Sequence, residues 1–420
     1  MTYKIRLRRR LVDFLLIVLR LPASLLERLT RRDSRKDEYS NILILRTAAL
    51  GDFILSIPAL HRLRSSFPQA KLTLITTAST DQATLKSVQN YSGEKQPWID
   101  LLPENLIDEV CIFPAQLSFR EILRIRSNLI GKNFDGCFIL NEGANAVGIV
   151  KKIAFLRILG IRERIFGIRT NAYPKIFPYA QLGVRRLEHH VLELIRSVEE
   201  CPRVADDINH VIRFDLKIAT DVHSWALEFL NVLGCDGAEI IIIAPGSRLE
   251  FKKWPEESFA ALIDSLLKKR PQAHVLIVGS TVDAETVVKV RSALPSLPNS
   301  WRLHDLTGKT SIPQLAALLA RASVFVGNDG GTCHLAAAVG CKTVSIANGV
   351  EIPNSVEPWG NQRFTARFNP PCAPCYEFTF CRERHRQCVV GIRTDTVLRL
   401  AESALSEPSQ PAAAPDDLRH

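Results

Sequence analysis

Three short segments hold side chains suited to managing a charged leaving group beside a base. In Thr47-Ala48-Ala49-Leu50-Gly51-Asp52 a carboxylate opens a helix just beyond a strand. A helix N-terminus favours its ionised form, so Asp52 is a candidate proton acceptor at neutral pH, the plainer reading being an N-cap aspartate. In Ala244-Pro245-Gly246-Ser247-Arg248, followed by Lys252-Lys253-Trp254-Pro255, a lysine loop leads into another helix. A lysine placed there can neutralise a diphosphate, the group that departs when a sugar leaves a nucleotide carrier; taken alone, such a loop is merely solvated. In Gly327-Asn328-Asp329-Gly330-Gly331-Thr332-Cys333-His334 an acid and two glycines precede a helix, whose exposed N–H groups can approach an anion closely, with His334 in its first turn.

Such residues need a scaffold that brings strand ends to one edge. Asn41 to Arg46 reads as a buried strand, followed by a helix carrying Ile54, Leu55, Ile57, Leu60 and Leu63. Strand Leu72 to Ile75, a helix near Ser118 to Leu129, strand Gly136 to Leu140 and a helix near Val147 to Leu159 continue the alternation. After a polar stretch from about 200 to 218, a helix from Ala219 to Leu233 opens a second series, with strands Ile240 to Ala244, His274 to Val278, Ser323 to Gly327 and Thr343 to Ile346. The expected fold is α/β: two Rossmann-like, doubly wound parallel-sheet domains facing a cleft, at 40–205 and 218–395. The Pro- and Ala-rich tail, 406–420, is too poor in apolar residues to fold.

Of the net charge of +10, residues 1–36 supply +8, from eleven Lys or Arg against Asp13, Glu27 and Asp33. The remainder is close to neutral, so a nucleic-acid groove is not expected. Leu11 to Leu19 and Leu25, Leu26 and Leu29 give residues 1–39 the pattern of a basic amphipathic arm suited to an anionic membrane surface; a solvated helix or a signal peptide interrupted by Asp13 are the alternatives. No stretch reaches the roughly 18 apolar residues of a membrane span. Six cysteines are scattered and read as buried thiols. Cys372, Cys375, Cys381 and Cys388 cluster, a candidate structural zinc site, against reduced thiols or two disulfides. The chain has no P-loop, no G-x-S-x-G elbow, no zinc-protease signature and no D-x-D pair, which favours a donor site without a metal ion.

Taken in order, N-I-L-I-L-R-T-A-A-L-G-D-F-I-L-S-I-P-A-L (41–60), A-P-G-S-R-L-E-F-K-K-W-P (244–255) and G-N-D-G-G-T-C-H-L-A-A-A-V-G (327–340), with the stretch Phe134 to Gly167, resemble the ADP-heptose lipopolysaccharide heptosyltransferase family. The resemblance spans roughly residues 40 to 395 and implies a GT-B architecture, an inverting transfer from an ADP- or other NDP-sugar, a lipid-linked glycan acceptor, no cofactor required for catalysis and work at the cytoplasmic face of the membrane. It implies Asp52 as the base, Lys252 as the diphosphate-binding lysine, and Ser247, Arg248, Asp329, Gly330, Gly331, Thr332 and His334 around the donor. Glu285, or equally Asp283, matches an acid that holds the donor's ribose. Gly330 stands where the family usually has Ser or Thr, and Arg248 where some members have another hydroxyl, which leaves sugar and base open. An NDP-sugar epimerase and a non-catalytic sugar-nucleotide-binding protein are the alternatives on this fold.

Overall fold

The computed structural model describes residues 39–47, 49–77, 98–113, 118–140, 146–168, 188–205, 211–295, 300–375 and 380–407. The basic arm expected at the start of the chain and the tail beyond Glu407 lie outside the described residues. Among the described residues no helix is long and apolar enough to cross a membrane.

The first sheet is wholly parallel, in the order β3-β2-β1-β4-β5. Its strands are β1 (Asn41–Leu45), β2 (Lys71–Thr77), β3 (Glu109–Phe113), β4 (Gly136–Ile139) and β5 (Arg164–Phe166). Strand β1 reads as an apolar run, without alternation, because helices cover both faces of a parallel sheet; Ile42, Leu43 and Ile44 are fully buried. The expected single helix after β1 is two, α1 (Leu50–Ile54) and α2 (Ile57–Ser66). Pro58 has no N–H to continue the ladder, and the Ser56 hydroxyl donates to Phe53 O at 2.6 Å across the break. Helices α3 (Phe119–Ile130), α4 (Ala146–Ile158) and α5 (His190–Glu199), with a single helical turn at Pro202–Ala205, complete this half. Ser118 and Glu121 form a capping box at the start of α3.

The second sheet, also parallel, has the order β11-β10-β9-β6-β7-β8. It comprises β6 (Glu239–Ala244), β7 (Ala273–Ile277), β8 (Leu303–Asp305), β9 (Val324–Asn328), β10 (Thr343–Ala347) and β11 (Thr365–Arg367). It is entered through α6 (Thr220–Val232) and flanked by α7 (Glu256–Lys269), α8 (Ala284–Ser292), α9 (Ile312–Leu319), α10 (Gly331–Ala338) and α11 (Thr394–Ser406). Helix α11 packs on the second sheet's core through Val397, Ala401 and Ala404, so ordered structure extends beyond the expected limit at 395.

The two halves share apolar packing. Ile54 and Leu101 of the first half join Leu276, Leu315, Phe325 and Leu335 of the second in one cluster, with Phe214, Leu216 and Ile218 of the connecting segment against it.

Candidate active site

In each sheet the strand order reverses direction once, between β1 and β4 and between β6 and β9. Open α/β sheets bind ligands outside the carboxyl ends of the strands at such a switch point. All three chemical segments sit there. The loop after β1 delivers Asp52, the loop after β6 delivers Ser247 and Lys252, and the turn after β9 delivers Asp329 and the two glycines.

The segments meet through glycine. A Cβ on Gly51 would lie 2.7 Å from His334 Cδ2 and 2.9 Å from Gly331 Cα; one on Gly331 would lie 3.2 Å from Gly51 N. Helices α1 and α10 therefore touch backbone to backbone across the two halves, a distance only glycine permits. Asp52 is thereby held beside the glycine loop with its side chain exposed. Its backbone carbonyl accepts from the buried Arg46 guanidinium, whose pKa burial pushes down to about 10, against the pull of the Asp52 charge.

In the second half Lys252 Nζ is 3.8 Å from Asp329 Oδ2, with both side chains mostly buried, and Asn348 Nδ2 donates to the same oxygen at 2.9 Å. Lys253 points elsewhere, to Thr286 Oγ1 at 2.9 Å and Glu250 at 2.8 Å. His334 is buried and its Nδ1 has no hydrogen-bond partner. Burial holds its imidazole below the usual histidine range, opposed by the charges of Asp329, Asp52 and Glu357. Its unpartnered Nδ1 is itself buried. Ser247, Gly331 and Thr332 are half-buried at the loop edges, whereas Arg248 and Gly330 are exposed.

Glu285 does not join this group. It is exposed and pairs with Lys289 at 2.8 Å, one turn along α8. Asp283 is the acid that faces the loop: a Cβ on Gly246 would fall 2.2 Å from its Oδ1. Backbone and hydroxyl of Ser280 hold that carboxylate, at 2.8 and 2.7 Å, and turn it inward while the following helix carries Glu285 outward.

Several residues that shape the site have no signature in the sequence. Asn328 accepts from Trp254 N at 2.9 Å and donates to Pro245 O at 2.7 Å, tying the lysine loop to the β6 loop. Glu357 is buried and accepts from Arg367 at 2.6 Å, while its carbonyl oxygen lies 2.7 Å from His189 Nε2 in the first half. His190 N donates to Ser355 O at 2.8 Å, a second tie between the halves. The neighbouring N-D-G-G run could have drawn attention to Asn328, but the other contacts join residues far apart in the chain.

All ten cysteines are free thiols, and of the six scattered ones Cys111 is only half-buried, because its strand β3 is at a sheet edge. Cys375 and Cys388 lie against Gly349, with Cys375 N donating to Gly349 O at 3.0 Å and Cys388 Cβ 2.8 Å from where a Gly349 Cβ would be. Burial pushes the Cys372 thiol up, helped by the nearby Cys375, Cys388 and Cys381. Among the described residues, their sulfurs do not form a group of three within 4.8 Å of one another.

Residues 172–384 match the model of glycosyltransferase family 9 (heptosyltransferase). The lipooligosaccharide heptosyltransferase 2 of Campylobacter jejuni is 24% identical over 72% of this chain and 97% of its own length. The glycosyl transferase family 9 structure from Veillonella parvula superimposes with a TM-score of 0.62 at 21% identity, covering 88% of this chain and 97% of that one. The Escherichia coli ADP-heptose LPS heptosyltransferase II gives a TM-score of 0.59 at 19% identity, with 87% and 98% covered. The match over half the chain, on two parallel sheets of GT-B type, identifies this chain as a glycosyltransferase that belongs to family 9, the heptosyltransferases.

Proposed function

We propose that the chain transfers a heptosyl group from ADP-heptose to a lipid-linked core oligosaccharide of the lipopolysaccharide type. Relatives whose names state lipopolysaccharide or lipooligosaccharide heptosyl transfer support donor and acceptor. The observation that carries the chemistry is the backbone contact of Gly51 with Gly331, which seats Asp52 beside the donor loop. An acceptor hydroxyl positioned at Asp52 gives up its proton to that carboxylate as its oxygen attacks the anomeric carbon. The bond from that carbon to the diphosphate oxygen breaks, ADP departs, and the anomeric configuration inverts. Lys252 and the N–H groups at the start of α10 take up the charge that develops on the diphosphate, in the role a metal ion fills in other donor sites. His334 Nδ1, neutral and unpartnered, offers the donor one further hydrogen bond, and Asp283 faces the Gly246 loop from the side where a ribose would lie. The basic arm, residues 1–36, would hold the enzyme on the anionic cytoplasmic face of the membrane.

The test is transfer from ADP-heptose to a lipid-linked core acceptor, followed by mass spectrometry. Wild type adds one heptose unit with inversion, in EDTA as well as in Mg²⁺. Asp52→Asn keeps the size of the side chain but removes the base, and lowers turnover by roughly 10²–10⁴-fold with donor affinity little changed. Turnover within a fewfold of wild type would remove Asp52 from the mechanism.

A further inference from the structure

At the edge of the second sheet opposite the catalytic loops, three ligand-type side chains converge. Cys235 Sγ is 3.2 Å from His274 Nδ1 and 3.7 Å from His304 Nε2, and the two ring nitrogens are 3.0 Å apart. Cys235 and His274 are buried and His304 half-buried. Among the described residues this is the one group of three or more His, Cys, Asp or Glu whose ligand atoms all lie within 4.8 Å of one another.

Hydrogen bonding accounts poorly for this convergence. A ring nitrogen has a single in-plane site, either an N–H or a lone pair. His274 Nδ1 nevertheless faces both the sulfur and the second imidazole at contact distance, and can serve only one of them well. A cation at the centre serves all three. Zinc held tetrahedrally, at about 2.3 Å from sulfur and 2.0–2.1 Å from nitrogen, sets its ligand atoms roughly 3.3–3.6 Å apart, within about 0.4 Å of each separation found here.

We propose that Cys235, His274 and His304 form a zinc-binding site, with the thiolate, His274 Nδ1 and His304 Nε2 as its three protein ligands and a water molecule completing the tetrahedron on the solvent side of the half-buried His304. His274 is the second residue of β7 and His304 the middle residue of β8, so the site lies toward the amino ends of the strands, away from the glycosyl-transfer centre. Cys235 follows the end of α6, where its N–H donates to Leu230 O at 2.9 Å. The metal thus joins the helix that opens the second half to the sheet's edge. That edge needs a fastening, since β8 has only three residues and a single strand neighbour. Trp301 packs edge-on against His274, with centroids 5.2 Å apart, and screens the site from the side.

The test is metal content by mass spectrometry of the full chain loaded with Zn²⁺ and freed of loosely held ions, alongside His304→Gln and Cys235→Ala. The expected result is one equivalent fewer in each variant than in wild type, with Zn²⁺ raising the melting temperature of wild type more than that of either variant. Co²⁺ in place of zinc should show a tetrahedral visible spectrum whose intensity drops in both variants. Counting the difference between chains separates this site from any metal on the four clustered cysteines. His304→Gln acts at a half-buried position on an edge strand, so it reports even where Cys235→Ala fails to fold. Heptosyl transfer by His304→Gln at low temperature should match wild type. Equal metal content in wild type and His304→Gln, or a wild type without metal, would overturn the proposal.

Discussion

Replacing Gly51 with alanine tests the contact that, in the proposed mechanism, positions Asp52, without altering a chemical group. The new methyl carbon would sit 2.9 Å from Gly331 Cα and 2.7 Å from His334 Cδ2. Carbon atoms rest at about 3.5–4.0 Å, so the two backbones must separate by roughly 0.6–1.1 Å. A flexible side chain could turn aside, but a Cα on a neighbouring helix cannot. Overpacking of this kind costs about 1–3 kcal/mol of stability. A misplacement near 1 Å costs up to about 10²-fold in rate, so turnover should fall roughly ten- to a hundredfold. Donor affinity should fall less than turnover, because Lys252, Asp329 and Asn348 all belong to the second half and only His334 among the donor contacts meets the new methyl. Gly331→Ala should do less harm, its methyl meeting Gly51 N at 3.2 Å and Leu50 at 3.4 Å. Gly131→Ala, where nothing lies within 4 Å, is the control. The assay pairs steady-state transfer with calorimetric titration of ADP and thermal melting. Turnover of Gly51→Ala within twofold of wild type would refute the claim that this contact sets the position of Asp52.

Lys252→Ala should weaken ADP binding about ten- to a hundredfold, the loss of one charge-assisted contact worth on the order of 1.5–3 kcal/mol, with EDTA leaving wild-type binding unchanged; titration calorimetry measures both. Burial, with the charges of His189 and Arg46, pushes the His190 imidazole down to about 3. The native state thus refuses a proton that the unfolded chain accepts near pH 6.5, so this contribution is complete above that pH and is lost as pH falls toward 3. At pH 4.5 the loss is about 2–3 kcal/mol, and His190→Gln should flatten the acid limb of a denaturation series by that amount. Deleting residues 1–36 should weaken binding to anionic vesicles in a flotation assay while transfer to a water-soluble core fragment continues.

Strands built on an unbroken apolar run, such as β1, β6 and β9, announced a parallel sheet because burial on both faces removes the polar-apolar alternation. The short edge strands β5, β8 and β11, of three residues each, left no such trace, since their pairing is decided by neighbours distant in sequence. Glycine, acid and lysine could be read as a site because helix starts after strands are few and their chemistry is local. The direction of a side chain could not: Glu285 and Asp283 differ by half a helical turn, and only the Ser280 cap decides which one faces the loop. Asn328, Glu357 and the Cys235, His274, His304 group acquire meaning through contacts across 10 to 168 residues of chain.

The apolar seam between the halves has a consequence for how the enzyme cycles. Ile54, Leu101, Phe214 and Leu216 would meet water if the halves swung wide apart, at about 25 cal/mol for every Å² uncovered. Sliding keeps them covered. Substrate entry and ADP release are therefore expected to run by shear of a few ångströms along greased side chains, a motion of small amplitude in which this seam stays dry throughout turnover.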